Sequence, residues 1–217
     1  MRAYIRNLAR AWRDALGGGS FPCHAILSVA ALAAVLGVFS RFLDFVESRP
    51  GTVPGDPVLA LFHPVDLTWL TFALIYLSIL AGLAALAPRP ALLVTALRSY
   101  TLMVLFRMAA MWLLPLDPPP QMIPLHDPFV QLFAGDGTIL TRDLFFSGHT
   151  STLFLLFLVT PGRRLRRVLL ACTVLVAASV IAQHVHYSVD VFVAPFAAYG
   201  ARRLTLLLPG PAGPHRN

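Results

Sequence analysis

Apolar segments such as VLLACTVLVAASVIAQHV, residues 168–185, decide the fold of this chain, because they contain no charged side chain. The arginines that precede this segment are Arg163, Arg164, Arg166 and Arg167. At its other end stand His184 and His186. An uncharged segment of this length with a basic flank is typical of a transmembrane helix whose basic end is cytoplasmic. The segment therefore predicts a membrane span with its histidine end on the opposite side.

The composition agrees with a membrane protein. Hydrophobic residues make up 57% of the chain and charged residues 12%, against about 25% charged in a soluble domain. The net charge of +7 is carried by arginines between apolar segments, where the positive-inside rule places them, so we expect no nucleic-acid partner. Cys23 and Cys172 lack metal-ligand spacing and are interpreted as free thiols.

Six apolar segments predict an all-α fold, a polytopic bundle of six transmembrane helices in one domain over residues 21–208. They lie at 25–46, 67–87, 91–114, 144–160, 168–185 and 187–208. Residues 1–20 form a basic amphipathic helix that is expected to lie on the membrane surface, and residues 209–217 a short tail. Because the arginines between spans fall on one side, both termini are predicted to be cytoplasmic, in the inner or plasma membrane of a cell.

The opposite side receives the loops 47–66 and 115–143, which hold most of the acids. These are Glu47, Asp56, Asp66, Asp117, Asp127, Asp136 and Asp143. The second loop is long and rich in proline, which is typical of a lid or binding loop but also of a stiff solvated connector. Both interpretations remain open at this point.

Two short motifs at the non-cytoplasmic ends of the spans carry the chemistry. They are Phe146-Ser147-Gly148-His149-Thr150 and His186-Tyr187-Ser188-Val189-Asp190. Asp190 is expected one helical turn from His186, where it would fix the imidazole tautomer and leave the other nitrogen free to attack phosphorus. His149 would then protonate the leaving oxygen. The predicted catalytic residues are therefore His149, His186 and Asp190.

Further residues near this depth are candidates for binding the substrate. The set comprises Arg107, Asp143, Ser147, Gly148, His184 and Tyr187. Arg107 would clamp a phosphate, and Ser147 and the Gly148 amide would donate to phosphoryl oxygens. Asp143 would either attract a cationic head group or cap the fourth span. His184 would tune the site or point elsewhere, and His24, His63, His126 and His215 are interpreted as ordinary hydrogen-bonded histidines.

At these motifs the chain resembles the sphingomyelin synthase family within the type-2 phosphatidic acid phosphatase superfamily. The matching stretches are residues 143–150 and 184–191. The resemblance implies a six-span bundle in which His186 is the nucleophile, Asp190 its partner and His149 the general acid and base. Where the family has Cys-Gly, this chain has Thr141-Arg142, which predicts an arginine beside the head group. The phosphatase branch has an arginine before a proline where this chain has Leu114, which favours the synthase-like branch.

The predicted function is that of a lipid phosphotransferase on the periplasmic or exoplasmic side. It would move a phospholipid head group to a ceramide or diacylglycerol type of alcohol, through a phosphohistidine and without metal or cofactor. Its partners would be membrane phospholipids and the acceptor lipid, with the donor and the oligomeric state left open. With water as acceptor, the same site would make a lipid phosphatase or a phospholipase-C-like hydrolase. Alternatives of another class are a transporter and a non-catalytic membrane scaffold.

Overall fold

A computed structural model describes residues 2–125 and 140–209, and within these ranges the chain is helical. The α-helices are α1 (Arg2–Leu16), α2 (Phe21–Ser48), α3 (Thr68–Leu86), α4 (Pro90–Leu113), α5 (Gly148–Val159), α6 (Arg163–Ala182) and α7 (Ser188–Leu207). A short 3-10 helix spans Leu59–Leu61, and Thr52 and Leu116 form an isolated β-bridge. Much of the predicted 115–143 loop, with His126, Asp127 and Asp136, and nearly all of the predicted tail, with His215, lie outside the described residues.

All six predicted spans contain a helix, and four of these helices are long and apolar enough to cross a membrane. The four are α2, α3, α4 and α6. The remaining two differ, because α5 has 12 residues, about 18 Å of helix, and α7 carries Asp190, Arg202 and Arg203. A hydrocarbon core is about 30 Å thick, so α5 alone does not span it. The fold supports a multi-pass membrane protein, while the count of six spans and the side of the termini stay predictions.

Three predicted segments begin several residues from the start of the helix that they contain. The first was expected from residue 25, but α2 begins at Phe21. The fourth segment was expected from residue 144, but α5 begins at Gly148 because the residues before it form a loop bonded to Arg107. The fifth was expected from residue 168, but α6 begins at Arg163, so the arginine cluster lies in the helix itself. Arginine is a good helix former, and the positive φ of Gly162 (91°) marks the start of α6.

The short helix α5 is the centre of the bundle. It contacts α3, α4, α6 and α7, whereas α2 packs against α4 and α1 with most of its length exposed. Along α7, the fully buried Ala194, Ala198 and Ala201 face the core that α4 and α5 complete. Small side chains at this spacing let helix backbones approach closely in a membrane. The two motifs predicted to carry the chemistry therefore lie on neighbouring helices.

The two ends of the bundle are tied by different bonds. At one end, α1 is held to the C-terminal end of α3, since Tyr4 Oη donates to the Ala84 carbonyl (2.7 Å) and Trp12 Nε1 to the Ala87 carbonyl (2.8 Å). At the other end, the amide of Val65 donates to the carbonyl of Ala182 (2.9 Å). The loops at this second end surround the starts of α5 and α7.

Candidate active site

Arg107, in the second half of α4, organises the segment that leads into α5. Its Nη2 lies 2.8 Å from Oδ1 of Asp143 and donates to the Asp143 carbonyl (3.1 Å), while Nε donates to the Phe146 carbonyl (3.0 Å). A Cβ added to Gly148 would overlap Nη1 of Arg107. Glycine is required here because the guanidinium rests directly on the backbone. Asp143 is thus the ion-pair partner of Arg107 and does not cap α5.

Ser147 caps α5 and is completely buried, which differs from its predicted role as a donor to phosphoryl oxygens. Its Oγ accepts from the amide of Thr150 (3.4 Å), and its own amide donates to the carbonyl of Asp190 (3.2 Å). Both groups of Ser147 are therefore engaged within the protein. The first amides of a helix have no intrahelical acceptor, so the amides of Gly148 and His149 remain as donors for an anion at this end of α5.

The structure brings His149 and His186 side by side. Their ring centroids are 6.1 Å apart at an interplanar angle of 65°, and the edge of His149 also meets the ring of Phe72. Nδ1 of each histidine is buried without a hydrogen-bond partner among the described residues. The two imidazoles are in edge-to-face contact, so a group bound beside the rings could meet both of them.

Asp190 lies next to His186, but for a reason different from the predicted one. The expected helical turn does not include His186, because α7 begins at Ser188. Asp190 instead sits in the first turn of α7, where its Oδ2 accepts from the backbone amide of Tyr187 (3.0 Å) and lies 3.5 Å from Nδ1 of His186. This separation is longer than a strong hydrogen bond. The helix start therefore fixes the carboxylate beside the imidazole.

Tyr187, predicted to bind substrate, is a link between loops. Its hydroxyl donates to the Asp117 carbonyl (2.8 Å), and the residue is almost completely buried against Leu59, Leu116 and Leu144. The ring thus supports the turn that carries His186.

An inner cavity of about 280 Å³ opens between α2, α3, α4 and α5. Its polar lining residues are Arg107, Asp143, His149, Ser151 and Thr152, and the rest of the lining is mainly aromatic and aliphatic. The aromatic lining residues are Phe39, Phe72, Tyr76 and Tyr100. A lining of this kind beside a histidine suits the glycerol and upper acyl region of a lipid.

Arg142 does not stand beside the head group as expected. Its Nε donates to Oδ1 of Asp117 (2.6 Å), and its backbone amide donates to Oε2 of Glu47 (3.0 Å), which also accepts from the amide of Thr141 (2.9 Å). The ion pair with Arg142 keeps the pKa of Asp117 below its ordinary value. Neither cavity at the site is lined by Arg142. The arginine therefore fastens the loop before α5 to the end of α2.

An outer cavity of about 480 Å³ lies on the other side of the turn that bears His186. His184, a predicted binding residue, lines this cavity and not the inner one. Its φ is +56°, and its Nε2 is buried without a hydrogen-bond partner in the part of the chain that the structure describes. Burial lowers the pKa of His184 below its usual 6.5.

Two residues of this cavity and the adjoining turn were not predicted from the sequence to belong to the site. Asp56 accepts from the amide of Ser188 (2.6 Å) at the start of α7, and buried Gln183 joins three segments through Leu67, Thr68 and Ile123. A lone aspartate in a polar loop and a glutamine at a helix end carry no spacing signal. The sequence therefore offered no means of selecting them.

The comparison with known protein families matches the segment that contains the candidate catalytic residues. A family model described as PAP2 superfamily C-terminal matches residues 142–200, about a quarter of the chain, including His149, His186 and Asp190. The match supports the type-2 phosphatidic acid phosphatase superfamily and an enzyme of phosphatase or phosphotransferase type, without distinguishing the sphingomyelin synthase-like branch. No curated protein gave a significant match to the chain.

Proposed function

We propose that this protein is an integral-membrane lipid phosphotransferase that moves a phospholipid head group, with its phosphate, onto a lipid alcohol through a phosphohistidine. The observation that carries the proposal is the pairing of His149 with His186, 6.1 Å between ring centroids, with Asp190 fixed 3.5 Å from Nδ1 of His186. His186 and Asp190 are buried and His149 is partly buried where it lines the inner cavity, and withdrawal from solvent strengthens electrostatic interactions.

In the first step His186 is the nucleophile. Asp190 stands beside Nδ1, so Nε2 carries the lone pair that attacks phosphorus. A P–N bond forms while the bond from phosphorus to the glycerol oxygen breaks, and His149 gives its proton to that oxygen, which leaves as diacylglycerol. The imidazolium that forms on His186 is stabilised by the buried carboxylate of Asp190.

In the second step the acceptor alcohol takes the place of diacylglycerol. His149 removes the proton of the acceptor hydroxyl, the oxygen attacks phosphorus, and the P–N bond breaks to restore His186. The Gly148 and His149 amides at the start of α5 and the guanidinium of Arg107 are the groups that would offset charge on the phosphoryl oxygens. The inner cavity, with its aromatic lining, would hold the apolar part of donor and acceptor in turn.

The second candidate is a lipid phosphatase or phospholipase-C-like hydrolase. It is favoured by the outer cavity, which adjoins the turn bearing His186 from the side opposite to the apolar cavity. Water entering there would compete with a lipid alcohol for the phosphohistidine. The two activities differ in how far water is excluded from the same histidines.

The test uses purified protein in mixed micelles with head-group-labelled phospholipids, with and without ceramide and diacylglycerol. Label moving to an added alcohol supports the transferase, whereas label released only in water-soluble form would establish the hydrolase. No turnover in wild type would revive the scaffold or transporter interpretation.

Histidine variants connect this activity to the site. We expect His186→Ala to lower the rate by about 10³-fold or more and His149→Ala by about 10²- to 10⁴-fold. His24→Ala, in the first turn of α2 at the opposite end of the bundle, is the matched control and should retain full activity. A phosphoryl group that survives alkali but not acid, present in wild type and absent in His186→Ala, would identify the intermediate.

A further inference from the structure

The outer cavity has no part in the phosphoryl transfer steps proposed above. It lies between the loop 53–63, the segment 119–121 and the turn that carries His184 and Tyr187, and it shares no lining residue with the inner cavity. Its volume of about 480 Å³ is sufficient for a small organic group. Tyr187, which lines this cavity, directly follows His186, the nucleophile of the proposed function.

The strongest sign of a ligand is the unused nitrogen of His184. The side chain is 4% exposed, and one ring nitrogen is bonded to the Phe62 backbone. Among the residues at 2–125 and 140–209, none is a partner for Nε2, so Nδ1 is the nitrogen that donates to the Phe62 carbonyl. In the neutral imidazole this leaves Nε2 as a hydrogen-bond acceptor. A buried acceptor without a partner costs about 1–3 kcal/mol, which a donor on a ligand would recover.

The charge of the cavity is largely compensated within the protein. Asp56 is the one carboxylate among the described residues that line it, and its oxygens already accept from the amides of Ser188, Val58 and Leu59. The first of these amides is at the N-terminus of α7, whose dipole offsets negative charge. Asp56 is therefore better suited to accept a further hydrogen bond than to attract a cation.

An aromatic cage for an ammonium group is also lacking among the described lining residues. Phe62 is 38% exposed and meets the ring of His184 edge-on at 5.2 Å between centroids, whereas Tyr187 is 2% exposed, so at most one open aromatic face is present where a cage needs several. Recognition of quaternary ammonium groups depends on such faces. The side chains of His63 and Gln121 add neutral polar groups instead.

We propose that the outer cavity binds a neutral, hydroxyl-bearing head group, such as glycerol or another polyol, of the donor phospholipid. The hydroxyls would donate to Nε2 of His184 and to Asp56. This inference rests on the proposed function, because the head group stays attached to phosphorus while phosphorus is bonded to His186. The cavity adjoins that histidine through Tyr187, whose amide bonds Asp190.

The test compares two donors of equal charge and acyl chains, phosphatidylglycerol and phosphatidylpropanol, which differ in the head-group hydroxyls. Wild type should favour phosphatidylglycerol by about 10- to 100-fold in kcat/KM, because a site built for hydroxyls is left with unpaired groups by the analogue. Asp56→Asn and His184→Asn should bring this ratio close to one. A ratio near one in wild type, or a preference for ethanolamine or choline head groups, would overturn the proposal.

Controls separate recognition from folding. Asp44→Asn, on the exposed side of α2, and His24→Asn make the same chemical changes away from the cavity and should keep the wild-type ratio. Since the readout is a ratio of two donors, a partly destabilised variant still reports on recognition. An equal loss with both donors in Asp56→Asn, with the ratio unchanged, would assign that residue to structure alone and contradict the proposal.

A binding measurement distinguishes failure of this inference from failure of the proposed function. The His186→Ala protein is titrated with soluble glycerophosphoglycerol and with glycerophosphopropanol. Preferential binding of the first, lost in His184→Asn, would support the cavity even if wild type turned over no lipid. Turnover without any preference in rate or binding would leave the phosphotransferase in place and reject the polyol site.

Discussion

Gly148 is in such close contact with Arg107 that we expect even one added methyl group to matter. A Cβ at this position would overlap Nη1 and lie 2.6 Å from Cζ of the guanidinium. In Gly148→Ala the guanidinium must move, so its bonds to Asp143 and Phe146 are lost or lengthened. We predict a loss of stability of about 1–3 kcal/mol and a fall in activity of at least about tenfold.

The control for this substitution is Gly200→Ala in α7, where an added Cβ meets no atom within 4 Å. Alanine there should be neutral or stabilising by up to about 1 kcal/mol, because it is the better helix former. Thermal melting in detergent and lipid turnover measure both effects. Equal behaviour of the two variants would mean that Arg107 does not rest on Gly148 in the folded protein.

At the scale of single residues, the sequence indicates site residues most clearly where reactive side chains occur together in a short motif. His149, His186 and Asp190 occur in two short motifs at apolar segment ends, and the structure places them together. Arg142 was misplaced because the sequence does not reveal its partners Asp117 and Glu47. Such long-range partners depend on tertiary packing, which no local pattern specifies.

Substitution of Ser147 can separate a role in helix stability from a role in substrate binding, because this residue caps α5. Its Oγ accepts from the amide of Thr150 and the residue is fully buried. We predict that Ser147→Ala lowers stability by about 1 kcal/mol. Activity should fall only to the extent that loss of the cap displaces the start of α5. Ser40→Ala in α2, where the exposed hydroxyl bonds the Gly37 carbonyl, should be neutral. Lost activity with an unchanged melting temperature would restore the predicted role of Ser147 in binding phosphate.

The outer loops give the protein a defined response to acid. The pKa of His184 is below its usual 6.5 because burial disfavours the imidazolium. Burial raises the pKa of Asp56, but hydrogen bonds from Ser188, Val58 and Leu59 outweigh it and hold the pKa below the usual 3.8. The unfolded chain thus binds a proton at His184 more readily than the folded chain, so stability falls as the pH drops below about 6.5. The contribution of Asp56 is lost only below about 3.8.

We therefore predict that His184→Asn flattens the fall in melting temperature between pH 7 and 5 and leaves the fall below pH 4 unchanged. Asparagine tolerates the positive φ at this position but has no proton to gain. Melting curves of wild type and variant across this pH range measure the difference. Parallel curves over pH 7 to 5 would show that His184 titrates as it does in the unfolded chain.

Helices were predictable from apolar segments, but their ends were not. Hydropathy reports which residues avoid water, and residues 144–147 are apolar enough to extend α5 on that criterion alone. Their backbone is instead held as a loop by Arg107 from another helix. The same limit explains α6, whose first residues are arginines that hydropathy assigns to a loop although they are good helix formers.

For the molecule as a whole, the open question with the largest consequence is which side of the membrane the histidines face. The motif-bearing ends of α5 and α7 lie at the end of the bundle opposite to the contacts of α1 with Ala84 and Ala87. The arginine pattern predicts that α1 is cytoplasmic and the histidines are outside. Cys23, exposed near the start of α2, and an introduced Gly55→Cys, with open space around it, mark the two ends.

We predict that a membrane-impermeant maleimide added to intact cells labels Gly55→Cys in a background of Cys23→Ser and Cys172→Ala. The same reagent should not label Cys23 when Cys23 is the single cysteine. After permeabilisation both should react, which controls for burial. Labelling of Cys23 from outside, with Gly55→Cys protected, would invert the topology. The phosphotransferase would then draw its donor lipid from the cytoplasmic leaflet, because His149, which lines the inner cavity, lies in the first turn of α5 at the same end of the bundle as residue 55.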